Sequence, residues 1–299
     1  RPQFICCSAT IANPQELAAK IIEEPVRLID RNGAPRETKH FIFYNPPVVN
    51  HQLGIRRSVI HEATKIALRF LTCGIQTILF ARSRLNVEIL VTYLREAMTR
   101  QRKPANVVRG YRGGYLPRER RDIESGLRSG SVRGVVSTNA LELGIDIGQL
   151  DCCVMVGYPG TVSSTWQQAG RAGRKTGVSA ALLVASSHPL DQYIVNHPDY
   201  FFKQSPEKGV INPNNLVILM SHVKCAAFEL PFEDAERFGI EATGELLEYL
   251  EEHGVLHHQD GRFHWTSEVY PAEQVSLRSA STDNFVIIDT TTKDHRVIG

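Results

Sequence analysis

Between residues 36 and 200 short apolar runs alternate with longer amphipathic stretches, and that rhythm leaves few folds open. The runs at 40–44, 77–81, 106–109, 134–137, 152–156 and 180–185 have the length of strands. Several are apolar without interruption, as strands covered on both faces must be. The stretches between them carry helical periodicity. Ile55, Val59, Ala63, Ile66 and Phe70 recur every three or four residues, and Gly74 follows as a stop signal. A second helix is expected over residues 83–102, with Pro104 beyond it. This alternation predicts an α/β domain: an open parallel sheet with right-handed crossovers and helices on both faces.

After Pro206 the texture changes. Helices are expected at 216–228 and 244–253, the second with Leu246, Leu247 and Leu250 on one face and Gly254 just past its end. Asp260-Gly261 then marks a tight hairpin turn between two short strands. Helices followed by a small hairpin predict a winged-helix-like α+β domain. Strand-like runs at 285–288 and 296–298 suggest a partial β segment.

Charge divides the chain at the same place. Residues 207–299 hold 7 Lys/Arg against 16 Asp/Glu, whereas residues 1–206 hold 27 against 16. The segment 82–133 alone has 13 basic and 5 acidic residues. A polyanion surface is therefore expected on the first module, although charge runs also mark plain solvated faces. The six cysteines lack Cys-x-x-Cys spacing, and the adjacent pairs Cys6-Cys7 and Cys152-Cys153 lie in apolar runs that read as buried strands. Reduced core thiols of an intracellular protein are expected, not disulfides or zinc. No apolar run approaches the roughly 18–20 residues that span a bilayer. The chain opens Arg1-Pro2-Gln3 without a signal peptide, and it reads as a piece of a longer protein.

Three motifs carry chemistry. In Gln167-Gln168-Ala169-Gly170-Arg171-Ala172-Gly173-Arg174, two arginines stand three apart. On a helix they would share a face, and an aligned guanidinium pair suits a γ-phosphate. The apolar run 134–137 ends in Ser137-Thr138-Asn139, where hydroxyl and amide groups open a helix, and Gly144 and Asp146 follow. Ligands of open α/β sheets bind at such carboxyl ends of strands. Asp146 could accept from a sugar hydroxyl. Ser8-Ala9-Thr10, after the first apolar run, is a weak signal alone. The plain alternatives are a basic helix face, ordinary capping and a turn.

In this order and spacing the motifs resemble those of superfamily 2 helicases. Ser8-Ala9-Thr10 resembles motif III, residues 77–84 motif IV, 137–146 motif V and 167–174 motif VI. The wording of Tyr111-Arg112-Gly113-Gly114-Tyr115-Leu116-Pro117, Gly157-Tyr158-Pro159-Gly160, Pro189-Leu190-Asp191-Gln192-Tyr193 and Cys225-Ala226-Ala227-Phe228-Glu229-Leu230-Pro231 is similar to the RecQ-like DNA repair helicases of the MrfA (YprA) type. The resemblance covers essentially the whole chain. It implies a RecA-like fold divided as follows: 1–35, motif III strand and linker of a first lobe; 36–206, second RecA-like lobe; 207–270, winged-helix-like domain; 271–299, start of a β domain.

The resemblance implies roles for matching residues. Arg171 and Arg174 would be arginine fingers, with Gln167 lining the same cleft. Gly144 and Asp146 would meet the nucleotide sugar. Ser83, Arg84, Arg112, Gly113 and Thr138 would hold the backbone of single-stranded or partly duplex nucleic acid, DNA in this branch. Ser8 and Thr10 would couple ATP state to lobe closure. ATP and Mg2+ would be bound mainly by a preceding N-terminal RecA-like lobe, since the family's phosphate loop and Asp-Glu box precede motif III. The chain alone is thus expected not to hydrolyse ATP. The place of work would be the bacterial nucleoid in the cytoplasm, or a nucleus.

Other readings are weaker. Residues 169–176 end in Lys175-Thr176 like a phosphate loop, but Ala169 and Arg174 stand where glycines are required. No strand is followed by Gly-x-Gly-x-x-Gly, which excludes a dinucleotide fingerprint. His257 and His258 are adjacent on a strand and point to opposite faces, so the wing histidines are expected to be solvated and no metal site is assigned. Trp166 reads as packing. The competing function is a nucleic-acid-binding or scaffolding module without ATP chemistry; retention of Gln167, Arg171 and Arg174 favours the enzyme.

Overall fold

The computed structural model describes residues 2–31, 33, 38–143, 145, 147–148, 150–173, 177–212, 215–240, 242–275, 288–289 and 296–297. The chain divides into two compact units, Arg1–Val210 and Ile211–Gly299.

The first unit runs α1 (Pro14–Ile22), β1 (Lys39–Tyr44), β2 (Val48–Asn50), β3 (Ile55–Arg56), α2 (Val59–Thr72), β4 (Thr77–Ala81), α3 (Arg84–Arg100), β5 (Val108–Tyr111), α4 (Pro117–Ser129), β6 (Gly134–Ser137), β7 (Cys152–Val156), α5 (Val162–Ala169), β8 (Ser179–Val184), α6 (Pro189–Asn196) and α7 (Pro198–Lys203). Six strands form one sheet in the order β1-β8-β7-β4-β6-β5. All its ladders are parallel. Every residue of β4, β6 and β7 is buried, which explains why their sequences are apolar apart from the terminal Thr77 and Ser137. Side chains alternate between the faces. Ile78, Phe80 and Met155 pack against Ile123 and Leu127 of α4, Val162 of α5 and Phe201 of α7. Leu79, Val136 and Val154 pack against Ala63 and Leu71 of α2 and Leu90 and Leu94 of α3. Helices therefore cover both faces, as expected.

Two local expectations fail. The helix read from Ile55 begins only at Val59; Ile55 pairs with Asn50 in a small hairpin that turns through Gly54 at φ 64. Its helical spacing from Val59 is fortuitous, because the chain has already turned. Residues 2–8 form no strand, and Cys6 and Cys7 are exposed, whereas Cys152 and Cys153 are buried in β7. A strand exists through its ladder bonds, and among the described residues none pairs with 2–8. Burial pushes the Cys152 thiol up to about 12, so it stays protonated.

The second unit contains α8 (Leu216–Glu229), β9 (Phe232–Glu233), α9 (Thr243–Glu252), β10 (Leu256–Gln259) and β11 (Arg262–Trp265). Its antiparallel sheet has the order β10-β11-β9. Asp260 (φ 52) and Gly261 (φ 75) make the expected two-residue turn, which requires positive φ at both positions. Val223, Ala227, Phe232, Leu247, Leu250, Leu256 and Phe263 form its core. This is a winged-helix arrangement; the two-residue β9 was not legible in the sequence. In the tail β12 (Ile288–Asp289) pairs antiparallel with β13 (Arg296–Val297). The rest of the expected tail runs, 285–287 and 298, lies outside the described residues.

Candidate functional site

In a parallel sheet all carboxyl ends of the strands fall on one edge, where loops can converge on a ligand. Because β4, β6 and β5 are neighbours, their ends bring together five of the residues singled out above. Ser83 follows β4 in extended conformation and caps α3, its Oγ accepting from the Asn86 N–H at 3.1 Å. Arg84 opens α3. Its Nη2 lies 3.6 Å from where a Cβ on Gly113 would stand, so the guanidinium reaches across to the end of β5. Arg112, after β5, donates from Nε to Glu88 Oε1 at 2.7 Å and lies 4.8 Å over the Tyr115 ring. The Arg112 guanidinium holds the Glu88 carboxyl below the usual carboxylate range, and Glu88 in turn raises Arg112. Arg112 is thus held in a fixed plane, while Arg84 is exposed. Thr138, after β6, caps a single turn of 3-10 helix, Asn139–Leu141, accepting from the Ala140 N–H at 3.4 Å.

A second cluster forms around α5. Thr161 caps it through its side chain, and Glu207 adds a carboxylate that accepts from the N–H groups of Val162 (2.7 Å) and Ser163 (2.9 Å). Burial works against the ionised Glu207 carboxylate, but the N–H groups of Ser163 and Val162 outweigh it and lower its pKa. Gln167 Nε2 donates to Thr10 Oγ1 at 2.6 Å, joining two predicted site residues 157 positions apart. Thr10 is buried; Ser8 is exposed. On the next turn Ser164 Oγ and Gln168 Nε2 donate to the two oxygens of Glu142, at 2.7 and 2.9 Å.

Arg171 is not placed as the spacing suggested. Helix α5 ends at Ala169, and the chain turns through Gly170 and Gly173, the latter at φ 81. Gly170 stands at the helix end, and Gly173 lies so close to Ser179 that a Cβ would have no room. Arg171 is only 7% exposed. Its Nε donates to the Glu142 carbonyl at 3.0 Å, Nη1 to the Ile145 carbonyl at 2.8 Å, and Nη2 again to Glu142. It therefore fastens the loop that follows Thr138. The other predicted members, Gly144, Asp146 and Arg174, lie outside the described residues.

Between these clusters a polar cleft of about 380 Å³ is walled by Arg82, Asn139, Glu142, Gly157, Ser164 and Gln168. Sequence reasoning gave no role to Arg82, Glu142 or Glu207. Arg82 and Glu142 lay inside quoted motifs, Glu142 with side-chain partners 22 and 26 positions away; Glu207 accepts from main-chain N–H groups, which leave no side-chain pattern. Trp166 packs, its ring 4.9 Å from that of Phe201. In the second unit His258 bonds Asp234 at 2.6 Å, and His257 faces His264 across the hairpin. Among the described residues no group of three or more His, Cys, Asp or Glu could hold a metal ion, and no helix is long and apolar enough to cross a membrane.

A six-stranded parallel sheet with polar motifs at its strand ends, in a chain that also carries a winged helix, defines a RecA-like helicase lobe with an appended winged-helix unit. Comparison with known proteins gives the same class. Residues 62–176 match the helicase conserved C-terminal domain, and residues 211–280 match the winged helix domain of ATP-dependent helicase HRQ1. The chain is 58% identical over 288 residues to the uncharacterized ATP-dependent helicase YprA of Bacillus subtilis, covering 96% of this chain and 38% of that protein. It is 37% identical over 300 residues to ATP-dependent helicase HRQ1 of Saccharomyces cerevisiae, covering 97% and 28%. A crystal structure of the helicase MrfA bound to DNA and AMPPNP superimposes with a TM-score of 0.84 at 56% identity, over all of this chain and 42% of that one. The chain belongs to the superfamily 2 helicases of the MrfA/YprA type. It spans about two fifths or less of the length of these relatives.

Proposed function

We propose that this chain is the second RecA-like lobe and winged helix of an ATP-dependent DNA helicase or translocase that serves DNA repair. The observation that carries the reading is the edge formed by β4, β6 and β5, where Ser83, Arg84, Thr138, Arg112 and Gly113 stand at neighbouring strand ends. Backbone N–H groups, hydroxyls and guanidiniums at such an edge suit phosphates and carry no base preference. The Gln167–Thr10 contact supports the assignment of Thr10, with Ser8, to coupling. Gln167, Arg171 and Arg174 serve ATP hydrolysis, and Gly144 and Asp146 meet the nucleotide. ATP and Mg2+ are held mainly by a first RecA-like lobe, which is the principal partner of this one. The division into 1–35, 36–206, 207–270 and 271–299 belongs to the same reading, as does a location with the nucleoid or in a nucleus. The MrfA structures bound to DNA and AMPPNP support both ligands.

One observation favours a second reading, a binding or scaffolding module without ATP chemistry. Arg171 is buried and bonded to carbonyls, which is how a structural arginine looks. Hydrolysis and strand separation by the full-length protein decide between them. With DNA and RNA duplexes of each overhang, DNA-stimulated ATP turnover and unwinding of DNA are expected. Strand binding without stimulated turnover would select the scaffold.

A further inference from the structure

The quoted run Pro189-Leu190-Asp191-Gln192-Tyr193 has no role in the reading above, yet it gathers most of the sheet edge. Asp191, in the first turn of α6, has no exposed surface. Its Oδ2 accepts from the Ser186 N–H at 2.8 Å and the Ser186 hydroxyl at 2.7 Å, and its Oδ1 accepts from Arg82 Nη2 at 2.8 Å. Arg82 in turn donates to the Tyr158 carbonyl from Nε at 2.9 Å and from Nη2. Gln192 donates to the Ser186 carbonyl at 2.6 Å and pairs with the Asn45 amide at 3.1 Å. Asn45, Ser186, Tyr158 and Arg82 follow β1, β8, β7 and β4, four consecutive strands of the sheet. Gly157 lets the pair close. At φ 87 a Cβ there would stand 3.2 Å from Asp191 Oδ2 and 3.4 Å from Arg82 Nε.

The pair is asymmetric, with the Arg82 side chain 43% exposed and Asp191 fully covered. Without the carboxylate, only the Tyr158 carbonyl would hold Arg82, from one side of its guanidinium. Ser83 and Arg84, the next two residues, would then lose the support that sets their angle at the edge. We infer that Asp191 is a positioning residue for nucleic-acid binding: through Arg82 it fixes how Ser83 and Arg84 meet a strand phosphate. This rests on the proposed strand site.

The test uses the full-length protein and a mixed-sequence single-stranded DNA. It measures the DNA concentration that half-stimulates ATP turnover, the turnover at saturating DNA, and the melting temperature. Asp191→Asn and Arg82→Gln are each expected to raise the half-stimulating concentration about tenfold, the size of one lost charge-assisted contact, and Asp191→Asn to leave saturated turnover within twofold of wild type. Arg82→Lys keeps the charge beside Asp191 and should fall between. A merely structural role would move the melting temperature and leave the half-stimulating concentration alone, and that result overturns the inference. If Asp191→Asn does not fold, Arg82→Gln, at a half-exposed side chain, carries the test alone. A wild type that DNA does not stimulate, or an Arg84→Ala variant that binds DNA normally, would overturn the strand site and this inference with it. A stimulated wild type with indifferent Arg82 and Asp191 variants would overturn only the inference.

Discussion

The two units of the chain put charge to opposite use. Residues 1–210 carry a balance of +11, and residues 211–299 a balance of −9. In the first unit a sheet whose strands β4, β6 and β7 are wholly buried sets out arginines at its edge, with Arg84 exposed and Arg112 held flat by Glu88. In the second, α9 displays Glu245, Glu248 and Glu252 at exposed positions and has no basic residue. Even the wing's Arg262 is paired, with Glu233 at 3.0 Å. On charge alone a polyanion would be drawn to the first surface and turned away from most of the second. A winged helix, then, is not by its fold alone a duplex-binding element; the side chains on its exposed helix and wing decide.

The contrast can be broken at several points. The largest effect is expected at motif VI, where Arg171→Ala or Arg174→Ala should lower the turnover of the full-length protein by roughly 10³-fold, with little change in ATP affinity. Arg171→Ala should also lower the melting temperature, because the Glu142 and Ile145 carbonyls lose their donor. Wild-type turnover in either variant would return that residue to packing. Arg84→Ala and Arg112→Ala come next. Each should weaken single-strand binding about tenfold with little dependence on base sequence, and reduce the salt dependence of binding by about one ion. Strand binding that ignores both changes would remove the basic edge from the account. A smaller effect is expected on the wing. Changing Arg262 and Trp265 together to alanine should leave single-strand affinity within about twofold. That double variant should still destabilise the second unit, since Trp265 donates to the Ser267 carbonyl and packs against Phe228. If the double variant loses the strand while Arg84→Ala keeps it, the two surfaces have been assigned the wrong way round.

The smallest expected effect is on pH. The carboxyls of Glu62, Glu88 and Glu207 all lie below their ordinary value of 4.5 in the folded first unit. Tyr44 is the main cause for Glu62 and Arg112 for Glu88; for Glu207 the N–H groups of Ser163 and Val162 overcome the opposing effect of burial. A depressed folded pKa contributes stability that is complete above 4.5 and lost as pH falls through the folded values. The melting temperature of the first unit should therefore drop with acidification below 4.5, less steeply in Glu207→Gln. An unchanged slope in that variant would show that its two helix N–H bonds do not stabilise the ionised form.

Much of the lobe could be read directly. The bounds of β4, β6 and β7 were legible to the residue, because strands covered on both faces run apolar through their interiors, with Thr77 and Ser137 the polar residues at their ends. The hairpin at 48–56 was hidden, since Ile55 continued a helical spacing by accident. The apolar run holding Cys6 and Cys7 was read as a buried strand from apolarity alone, which does not reveal whether a ladder partner is at hand. Of the site, the strand-end residues followed from motif order, and Thr10 met Gln167. The fastening role of Arg171 did not follow, because main-chain carbonyls are the acceptors. Nor did that of Asp191, whose partner Arg82 stands 109 positions earlier in the chain.

The bond between Thr10 and Gln167 also has a bearing on biosynthesis. It cannot close until 157 further residues have left the ribosome; at roughly 5–20 residues per second that is about 8 to 30 seconds. Asn13, which pairs with Gly209, waits longer still. During this interval Thr10 and Asn13 wait for the partners that Gln167 and Gly209 supply. The nascent segment is thus a stretch on which a chaperone has time to act, and a slow codon before α5 would lengthen that exposure without altering the finished protein.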